Sequence, residues 1–200
     1  MIKSDNLYVL ILAAGRGERF GGPKQLAMIG RKSFIRHSID CAAAVVPTRQ
    51  IIVVTGARHQ QVASEANKAG VQVVENRDWA GGIGGSVGTG VAALPAAAVA
   101  VLLMSCDQVM LSGDHLRRLL TAWDGATERI AAAAYADTIG IPVVIPAVFF
   151  PQLLALQGDS GAKQLLLQHP DALISVPMDA ARYDIDSKQD IIEAGLNTPS

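Results

Sequence analysis

A glycine-rich, basic loop near the beginning of the chain carries the residues best suited to chemistry. The apolar run Tyr8–Leu12 leads directly into this loop, in which Arg16, Arg19 and Lys24 supply three positive charges. Glycine lets the backbone approach a ligand closely, so its N–H groups can donate to anionic oxygens. These residue types therefore predict a binding site for the phosphates of a nucleoside triphosphate.

The spacing within this loop differs from the two commonest phosphate-binding signatures. Gln25 follows Lys24 where GxxxxGK[ST] requires serine or threonine, and Phe20 stands where GxGxxG requires its third glycine. The order of a strand, Ala-Ala-Gly, two arginines, Gly-Gly and Pro-Lys-Gln is more specific than a glycine-rich turn alone. The loop is therefore predicted to use backbone amides together with separate cationic side chains.

Two acidic segments supply carboxylates that suit a hard cation. Asp107 follows the apolar run Val99–Ser105, and Asp186 lies in Tyr-Asp-Ile-Asp-Ser-Lys-Gln-Asp. Mg²⁺ prefers oxygen ligands, typically one or two carboxylates together with substrate phosphates. The alternatives are structural: Asp107 begins a turn or caps the helix predicted near Ser112, and Asp186 or Ser187 caps a helix. For the second segment both roles are compatible, one residue capping while the other faces a metal.

A second glycine-rich segment covers Trp79–Gly90. Four of the five positions from Gly81 to Gly85 are glycine, which costs chain entropy unless something approaches the backbone closely. Ser86 is predicted to cap a helix whose N-terminus carries partial positive charge. The alternative is a flexible loop before an amphipathic helix.

Short β-branched runs alternate with helical patterns along the chain, which predicts an α/β fold with a mainly parallel central sheet and helices on both faces. Ligands of such sheets bind beyond the carboxyl ends of the strands, where both the glycine-rich loop and Asp107 are expected. The predicted strands are Tyr8–Leu12, Gln50–Thr55, Val71–Glu75, Val99–Ser105, Ile130–Tyr135, Pro142–Ile145 and Leu173–Pro177. The predicted helices are Ser33–Ala44, His59–Ala69, Ser86–Ala93, Ser112–Trp123, Pro151–Gln157, Ala162–Gln168 and Lys188–Ala194.

Composition limits the classes of protein to consider. Two hundred residues, of which 50% are hydrophobic and 18% charged, predict one globular domain over residues 1–200. A net charge of −1 argues against a nucleic-acid partner, and the longest apolar run, 16 residues from Val91 to Cys106, is too short to span a membrane. The only cysteines, Cys41 and Cys106, are expected to be reduced, partly buried thiols in a cytoplasmic protein.

The glycine-rich loop resembles the signature loop of nucleotidyltransferases of the molybdenum-cofactor cytidylyltransferase type, a branch of the nucleoside-triphosphate transferase superfamily. The matching residues are Leu12-Ala13-Ala14-Gly15-x-Gly17-x-Arg19-Phe20-Gly21 and Lys24, and the resemblance extends from Leu10 to Asp190 with five motifs in family order. It implies a three-layer, Rossmann-like nucleotidyltransferase fold. It also implies nucleotide binding by Leu12, Ala13, Ala14, Gly15, Arg16, Gly17 and Lys24, and by Gly81 and Ser86 in the second glycine-rich segment.

The resemblance also implies a choice of base and a metal. The guanylyltransferases of this superfamily usually have Ala-Gly-Gly where this chain has Ala13-Ala14-Gly15, so Ala14 implies cytidine. Its methyl group would narrow the space for the base and so favour a pyrimidine. By the same resemblance Asp107 and Asp186 hold Mg²⁺, while Arg19 and Lys24 hold the β- and γ-phosphates; Arg19, Lys24 and Asp107 form the implied catalytic set.

The implied reaction transfers CMP from CTP to molybdenum-loaded molybdopterin and releases pyrophosphate. The product, molybdopterin cytosine dinucleotide, would pass to a molybdoenzyme or its chaperone. Gly158–Lys163 resembles a family segment on the acceptor side, but Ile141 stands where the family often has the histidine of Gly-His-Pro. The acceptor therefore stays open. The alternatives are a cytidylyltransferase or other NTP transferase for a methylerythritol, sugar or polyol phosphate, and a non-catalytic nucleotide-binding regulator.

Overall fold

In a computed structural model that describes residues 6–196, strands and helices alternate along most of the chain. The strands are β1 (Leu7–Ala13), β2 (Met28–Ile29), β3 (Lys32–Ser33), β4 (Ile51–Thr55), β5 (Gln72–Glu75), β6 (Ala100–Ser105), β7 (Ile130–Tyr135), β8 (Thr138–Pro146) and β9 (Leu173–Pro177). The α-helices are α1 (Phe34–Ala43), α2 (His59–Asn67), α3 (Ile83–Ala92), α4 (Gly113–Trp123), α5 (Phe150–Leu154), α6 (Ala162–Gln168) and α7 (Lys188–Glu193).

Seven of these strands form one sheet in the order β5-β4-β1-β6-β8-β7-β9, and β2 and β3 form a separate small hairpin. The pairs β1–β4, β1–β6, β4–β5 and β7–β9 are parallel, whereas β8 is antiparallel to both of its neighbours. The predicted α/β fold with a mainly parallel sheet is therefore confirmed.

Both faces of the sheet are covered by helices. Successive side chains of a strand point to opposite faces, and in β1 Val9 and Ile11 pack with α1, α2 and α4 whereas Leu10 and Leu12 pack with α3, α5 and α6. Burial on both faces explains why the central strands are apolar at nearly every position. The helices hold the sheet rigidly, so the loops at its carboxyl edge have a fixed base.

The start of α3 corrects one prediction. This helix begins at Ile83, so Ser86 is not its N-cap, and Gly84 and Gly85 are helical instead of lying in a loop. The reason is a close contact with the chain's own backbone: the Gly84 N–H donates to the Gly158 carbonyl at 2.9 Å. A Cβ at Gly84 would lie 2.8 Å from the Gln157 nitrogen, so this glycine makes room for a protein segment.

Two other predicted elements differ from the observed ones by three residues or more at one end. β8 runs from Thr138 to Pro146, so it is longer than the predicted Pro142–Ile145, and α5 ends at Leu154 instead of Gln157.

Cys41 and Cys106 are buried and free of disulfides. Among residues 6–196, none of the helices has the length and apolar character needed to cross a membrane.

Candidate active site

The candidate site lies at the carboxyl edge of the parallel strands. The sheet register pairs Ala13 at the end of β1 with Thr55 of β4, and Leu12 with Ser105 at the end of β6. The chain therefore enters the glycine-rich loop and the Asp107 turn side by side. A cleft of about 480 Å³ opens between these segments.

Eleven of the twelve residues predicted from the sequence line this cleft. They are Leu12, Ala13, Ala14, Gly15, Arg16, Gly17, Arg19, Lys24, Ser86, Asp107 and Asp186. Gly81 is the one predicted residue that does not line the cleft among the residues that the structure describes. It is exposed at the end of the short 3-10 helix Trp79–Gly81, and its neighbour Gly82 lines the cleft instead. Eight further residues line the cleft without having been predicted, among them Gln25, Trp79 and Ser105.

The glycine-rich loop turns tightly and leaves amide donors available. Gly17 has φ +71°, and a Cβ there would lie 2.1 Å from the Gly22 carbonyl oxygen, so only glycine fits. At Gly15 a Cβ would meet no atom within 4 Å. Between residues 6 and 196, the amides of Gly15, Arg16 and Gly17 donate to no backbone carbonyl, so they are available to an anionic ligand in the cleft.

Gln25 ties this loop to the end of β1. Its side chain is almost completely buried, and Nε2 donates to the carbonyl oxygens of Ala13 at 3.0 Å and Gly15 at 2.6 Å. A buried amide that accounts for two loop carbonyls restricts the conformations open to the loop. Its position directly after Lys24 in Pro-Lys-Gln was the sequence signal that could have identified it.

Lys24 joins the two acidic segments. Its Nζ lies 2.6 Å from Asp107 Oδ2 and 2.8 Å from Asp186 Oδ1, and the Lys24 and Asp107 side chains are each only 14% exposed. Arg19 contacts the other oxygen of Asp186 at 2.7 Å, from a side chain that is 78% exposed. The hydroxyl of Ser105 donates to Asp107 Oδ1. Lys24, Asp107 and Asp186, which are far apart in the sequence, therefore meet at one point.

The electrostatics follow from this arrangement. Burial alone would lower the pKa of Lys24, but the charges and hydrogen bonds of Asp107 and Asp186 outweigh burial and raise this pKa above its ordinary value. Burial, followed by the negative charges of Asp107 and Asp186, raises the pKa of the nearby Asp184 carboxyl to about 6. Asp184 itself lies outside the set of residues that line the cleft.

Neighbouring serines, and not Asp107 or Asp186, cap the helices α4 and α7. Ser112 is the N-cap of α4, so Asp107 is not needed there. Ser187 is the N-cap of α7, and its hydroxyl accepts from the Asp190 N–H at 3.3 Å. Because the capping is done by Ser187, the Asp186 carboxylate is available to Lys24 and Arg19.

The donor set at this point fits a divalent cation. Asp107 and Asp186 each direct an oxygen to within 2.8 Å of one atom, the Lys24 nitrogen, so a single cation can contact both carboxylates. The part of the chain that the structure describes contains no group of three or more His, Cys, Asp or Glu side chains placed to hold a metal. A metal at this point would therefore complete its shell with phosphate oxygens and water, which is the usual binding mode of Mg²⁺.

An apolar chamber of about 180 Å³ adjoins the cleft and shares Leu12 and Ile83 with it. Ile139 and Ile141 of β8 form part of its wall, together with Lys163 of α6. Gly161 and Ala162, from the segment predicted to lie on the acceptor side, also line it. Ile141 makes this wall apolar at the place where the family named above often has a histidine.

Comparison with known proteins agrees with this geometry. Residues 9–173 match the family model described as the MobA-like NTP transferase domain. A nicotine blue oxidoreductase of Paenarthrobacter nicotinovorans is 32% identical over 80% of this chain and 81% of its own length. A bifunctional enzyme IspD/IspF of Rhizorhabdus wittichii is 32% identical over 70% of this chain, which spans only 36% of that enzyme.

Solved structures support the fold. Rv0371c of Mycobacterium tuberculosis superposes with a TM-score of 0.81 at 26% identity, covering 94% of this chain and 97% of Rv0371c. A manganese complex of Rv0371c superposes with a TM-score of 0.77 at 25% identity, covering 94% of this chain and 97% of the other. These neighbours share the order of elements that positions the cleft.

Proposed function

Because the chain belongs to the MobA-like NTP transferase family, we propose that it transfers CMP from CTP to a phosphate-bearing acceptor and releases pyrophosphate. The observation that carries this proposal is the position of Lys24 between Asp107 and Asp186, beside the free amides of the glycine-rich loop. Anion-binding and cation-binding groups then meet at one end of a single cleft. A triphosphate with its metal ion needs both kinds of group.

The reaction is an in-line attack of an acceptor phosphate oxygen on the α-phosphorus. A new P–O bond forms there while the bond to the β-phosphate oxygen breaks, and the electron pair leaves with pyrophosphate. Such reactions depend mainly on positioning and charge neutralisation. The amides of Gly15 and Gly17 would bind phosphate oxygens, and Arg19 and Lys24 would neutralise the charge that develops on pyrophosphate.

Asp107 and Asp186 are the residues that would hold Mg²⁺. Bound there, the ion would lower the charge repulsion between the triphosphate and the incoming acceptor. The manganese complex of Rv0371c supports divalent-metal binding in a related fold. Lys24 would then exchange its carboxylate partners for phosphate oxygens, whose negative charge would likewise favour the charged form of the lysine.

The acceptor that we favour is molybdenum-loaded molybdopterin, with the product passing to a molybdoenzyme or its chaperone in the cytoplasm. The support is the resemblance of the loop and of the two acidic segments to the molybdenum-cofactor cytidylyltransferases. The similarity to IspD/IspF supports an alternative in which a sugar or polyol phosphate is the acceptor. A non-catalytic nucleotide-binding regulator is the third alternative, but a pure binding protein would not need a pair of carboxylates arranged for a metal.

An oxidoreductase is a second candidate function from another class. The similarity to nicotine blue oxidoreductase covers about four-fifths of both chains, and the apolar chamber would accept a flat organic ring. This candidate predicts reduction or oxidation of nicotine blue by an added electron donor or acceptor, without consumption of CTP. The nucleotidyltransferase predicts that CTP is consumed and that the dye is neither reduced nor oxidised.

The experiment that tests the proposed function is a pyrophosphate-release assay with CTP or GTP, each with Mg²⁺ and purified molybdenum-loaded molybdopterin. We expect turnover with CTP, loss of turnover in EDTA, and a fall of about 10²-fold or more in kcat for Asp107→Ala. Turnover with methylerythritol phosphate instead would change the acceptor and keep the reaction class. Near-normal turnover by Asp107→Ala would exclude the role assigned to this carboxylate.

The choice of base has its own test. Ala14 lines the cleft, and its methyl group lies beside Gly56, where an added Cβ would be only 2.9 Å away. If the methyl group excludes purines, Ala14→Gly will raise kcat/KM for GTP and leave that for CTP within about threefold, a change of less than ~0.7 kcal/mol. An unchanged ratio of the two values would assign base selection to other residues.

A further inference from the structure

Trp79 lies in the cleft on the side away from the acidic groups. Along the carboxyl edge the strand order is β5-β4-β1-β6, so the glycine-rich loop after β1 separates Asp107, after β6, from Trp79, after β5. Trp79 and Asp107 both line the cleft. If the phosphates lie at the Asp107 end, the remainder of a nucleotide extends towards Trp79.

The base of the Trp79 side chain packs closely against small residues. A Cβ added to Gly56 would lie 2.6 Å from the Trp79 Cβ and 2.9 Å from the Ala14 Cβ, so the glycine allows the tryptophan and the loop to pack together. Trp79 is partly exposed in the cleft. A rigid aromatic surface with access to solvent, next to a phosphate-binding loop, is a suitable platform for a planar ring.

A cationic side chain covers this surface. The Arg16 guanidinium carbon lies 5.2 Å from the centroid of the Trp79 ring, within the range of a cation–π contact. Arg16 is 56% exposed and its other partner is the exposed Glu18, at 2.7 Å. Neither contact is strong at a solvent-exposed position, so a ligand can displace the guanidinium.

We propose that Trp79 is the platform on which the base of the nucleotide stacks, and that Arg16 covers this platform until the nucleotide binds. On binding, the base replaces the guanidinium over the indole, and Arg16 becomes available to the phosphates. This inference rests on the proposed function, since it assigns the base end of the same nucleotide site. Stacking on an aromatic ring tolerates every base, so Trp79 contributes affinity and not selectivity.

Intrinsic fluorescence tests the platform directly, because the chain has only two tryptophans. Trp123, the last residue of α4, is buried in the core and serves as the control. We expect CTP with Mg²⁺ to quench the fluorescence of the wild type and of Trp123→Phe. Trp79→Phe should lose the quenching, while its Kd for CTP, measured by calorimetry, stays within about threefold of the wild-type value because phenylalanine also stacks.

Trp79→Ala separates the base from the phosphates. We expect its Kd for CTP to rise about tenfold, while its Kd for inorganic tripolyphosphate, which has no base, stays within about twofold. An unchanged Kd for CTP in Trp79→Ala, or quenching that persists in Trp79→Phe, would overturn the inference. Pyrophosphate release by the wild type alongside either result would leave the proposed function standing, whereas failure of the wild type to bind CTP would overturn both.

Discussion

Two cations of the site contact the same carboxylate from different environments. Lys24 and Arg19 both pair with Asp186, but the Lys24 side chain is 14% exposed and that of Arg19 is 78% exposed. Ion pairs in water contribute little to stability, whereas removal of one partner from a buried pair leaves an uncompensated charge. The two residues therefore differ in what they contribute to the fold, although both are assigned to the phosphates.

Lys24→Met should lower the free energy of unfolding by about 2 kcal/mol, because Asp107 then loses its cation in a partly buried site and faces Asp186, which keeps only the exposed Arg19 as a partner. The matched variant Arg19→Met should change it by less than about 0.5 kcal/mol. Urea denaturation of both variants at pH 7 without metal measures these values. In the double variant Lys24→Met, Asp107→Asn part of the loss should be recovered, and equal effects of the two single variants would contradict this account.

The two cysteines are expected to be unreactive in the folded protein. Burial, followed by the negative charge of Asp40, raises the pKa of Cys41 to about 11, and burial raises that of Cys106 as well. At pH 8 about one Cys41 in a thousand is then a thiolate, which is the form that reacts. Mass spectrometry after iodoacetamide treatment at pH 8 should show little labelling in the native state and two labels in denaturant; rapid native labelling of either cysteine would contradict the burial.

At the scale of elements, the second glycine-rich segment packs against the chain itself. Gly82 has φ +105°, and a Cβ there would lie 2.2 Å from the Gly158 carbonyl group. A Cβ at Gly84 would be similarly close to Gln157. The start of α3 and the turn before α6 can therefore pack closely because these two glycines have no side chains. The glycine density that indicated a ligand therefore has a structural cause at two positions.

Gly82→Ala should lower the free energy of unfolding by more than about 2 kcal/mol, because it combines a steric clash with a backbone conformation unfavourable to alanine. Gly81→Ala is the neighbouring control, since a Cβ there meets no atom within 4 Å and its backbone is not left-handed. We expect Gly81→Ala to stay within about 0.5 kcal/mol of the wild type in thermal or urea denaturation. A Gly82→Ala variant of unchanged stability would show that Gly158 can move away.

At the scale of the whole molecule, one edge of the sheet collects groups from both halves of the chain. The glycine-rich loop, Asp107 and Asp186 come together only because β1 and β6 are neighbours and the segment after β9 returns to the same edge. A ligand that contacts all three connects distant parts of the sequence. Ligand binding should therefore stabilise the fold as a whole.

CTP with Mg²⁺ at about 100 times its Kd should stabilise the protein by ~2.7 kcal/mol and raise Tm by about 5–10 °C. Differential scanning fluorimetry with and without EDTA measures the shift. Asp107→Asn should keep the nucleotide-dependent part and lose most of the metal-dependent part. A shift that is the same in EDTA would indicate that no divalent cation takes part in binding.

Local patterns determined the elements and most of the residues of the cleft. Hydrophobic periodicity predicts β1, β4 and β6 within one residue at each end, because burial on both faces requires an apolar run. It misses the first four residues of β8. The glycine-rich loop and Asp107 were predictable as neighbours, since the carboxyl ends of parallel strands share one edge. For the same reason Lys24 and Arg19 could be assigned to this edge from their positions in the loop.

Contacts between distant segments were decided only by the tertiary structure. The ion pair of Lys24 with two aspartates, the packing of Gly82 and Gly84 on the turn before α6, and the cover of Trp79 by Arg16 all join residues that no local pattern relates. The sequence encodes the periodicity of each element, which follows from the geometry of one helix or strand. The order of the strands and the space between neighbouring elements decide which side chains then meet. Both the strand order and this space exist only once the sheet has formed.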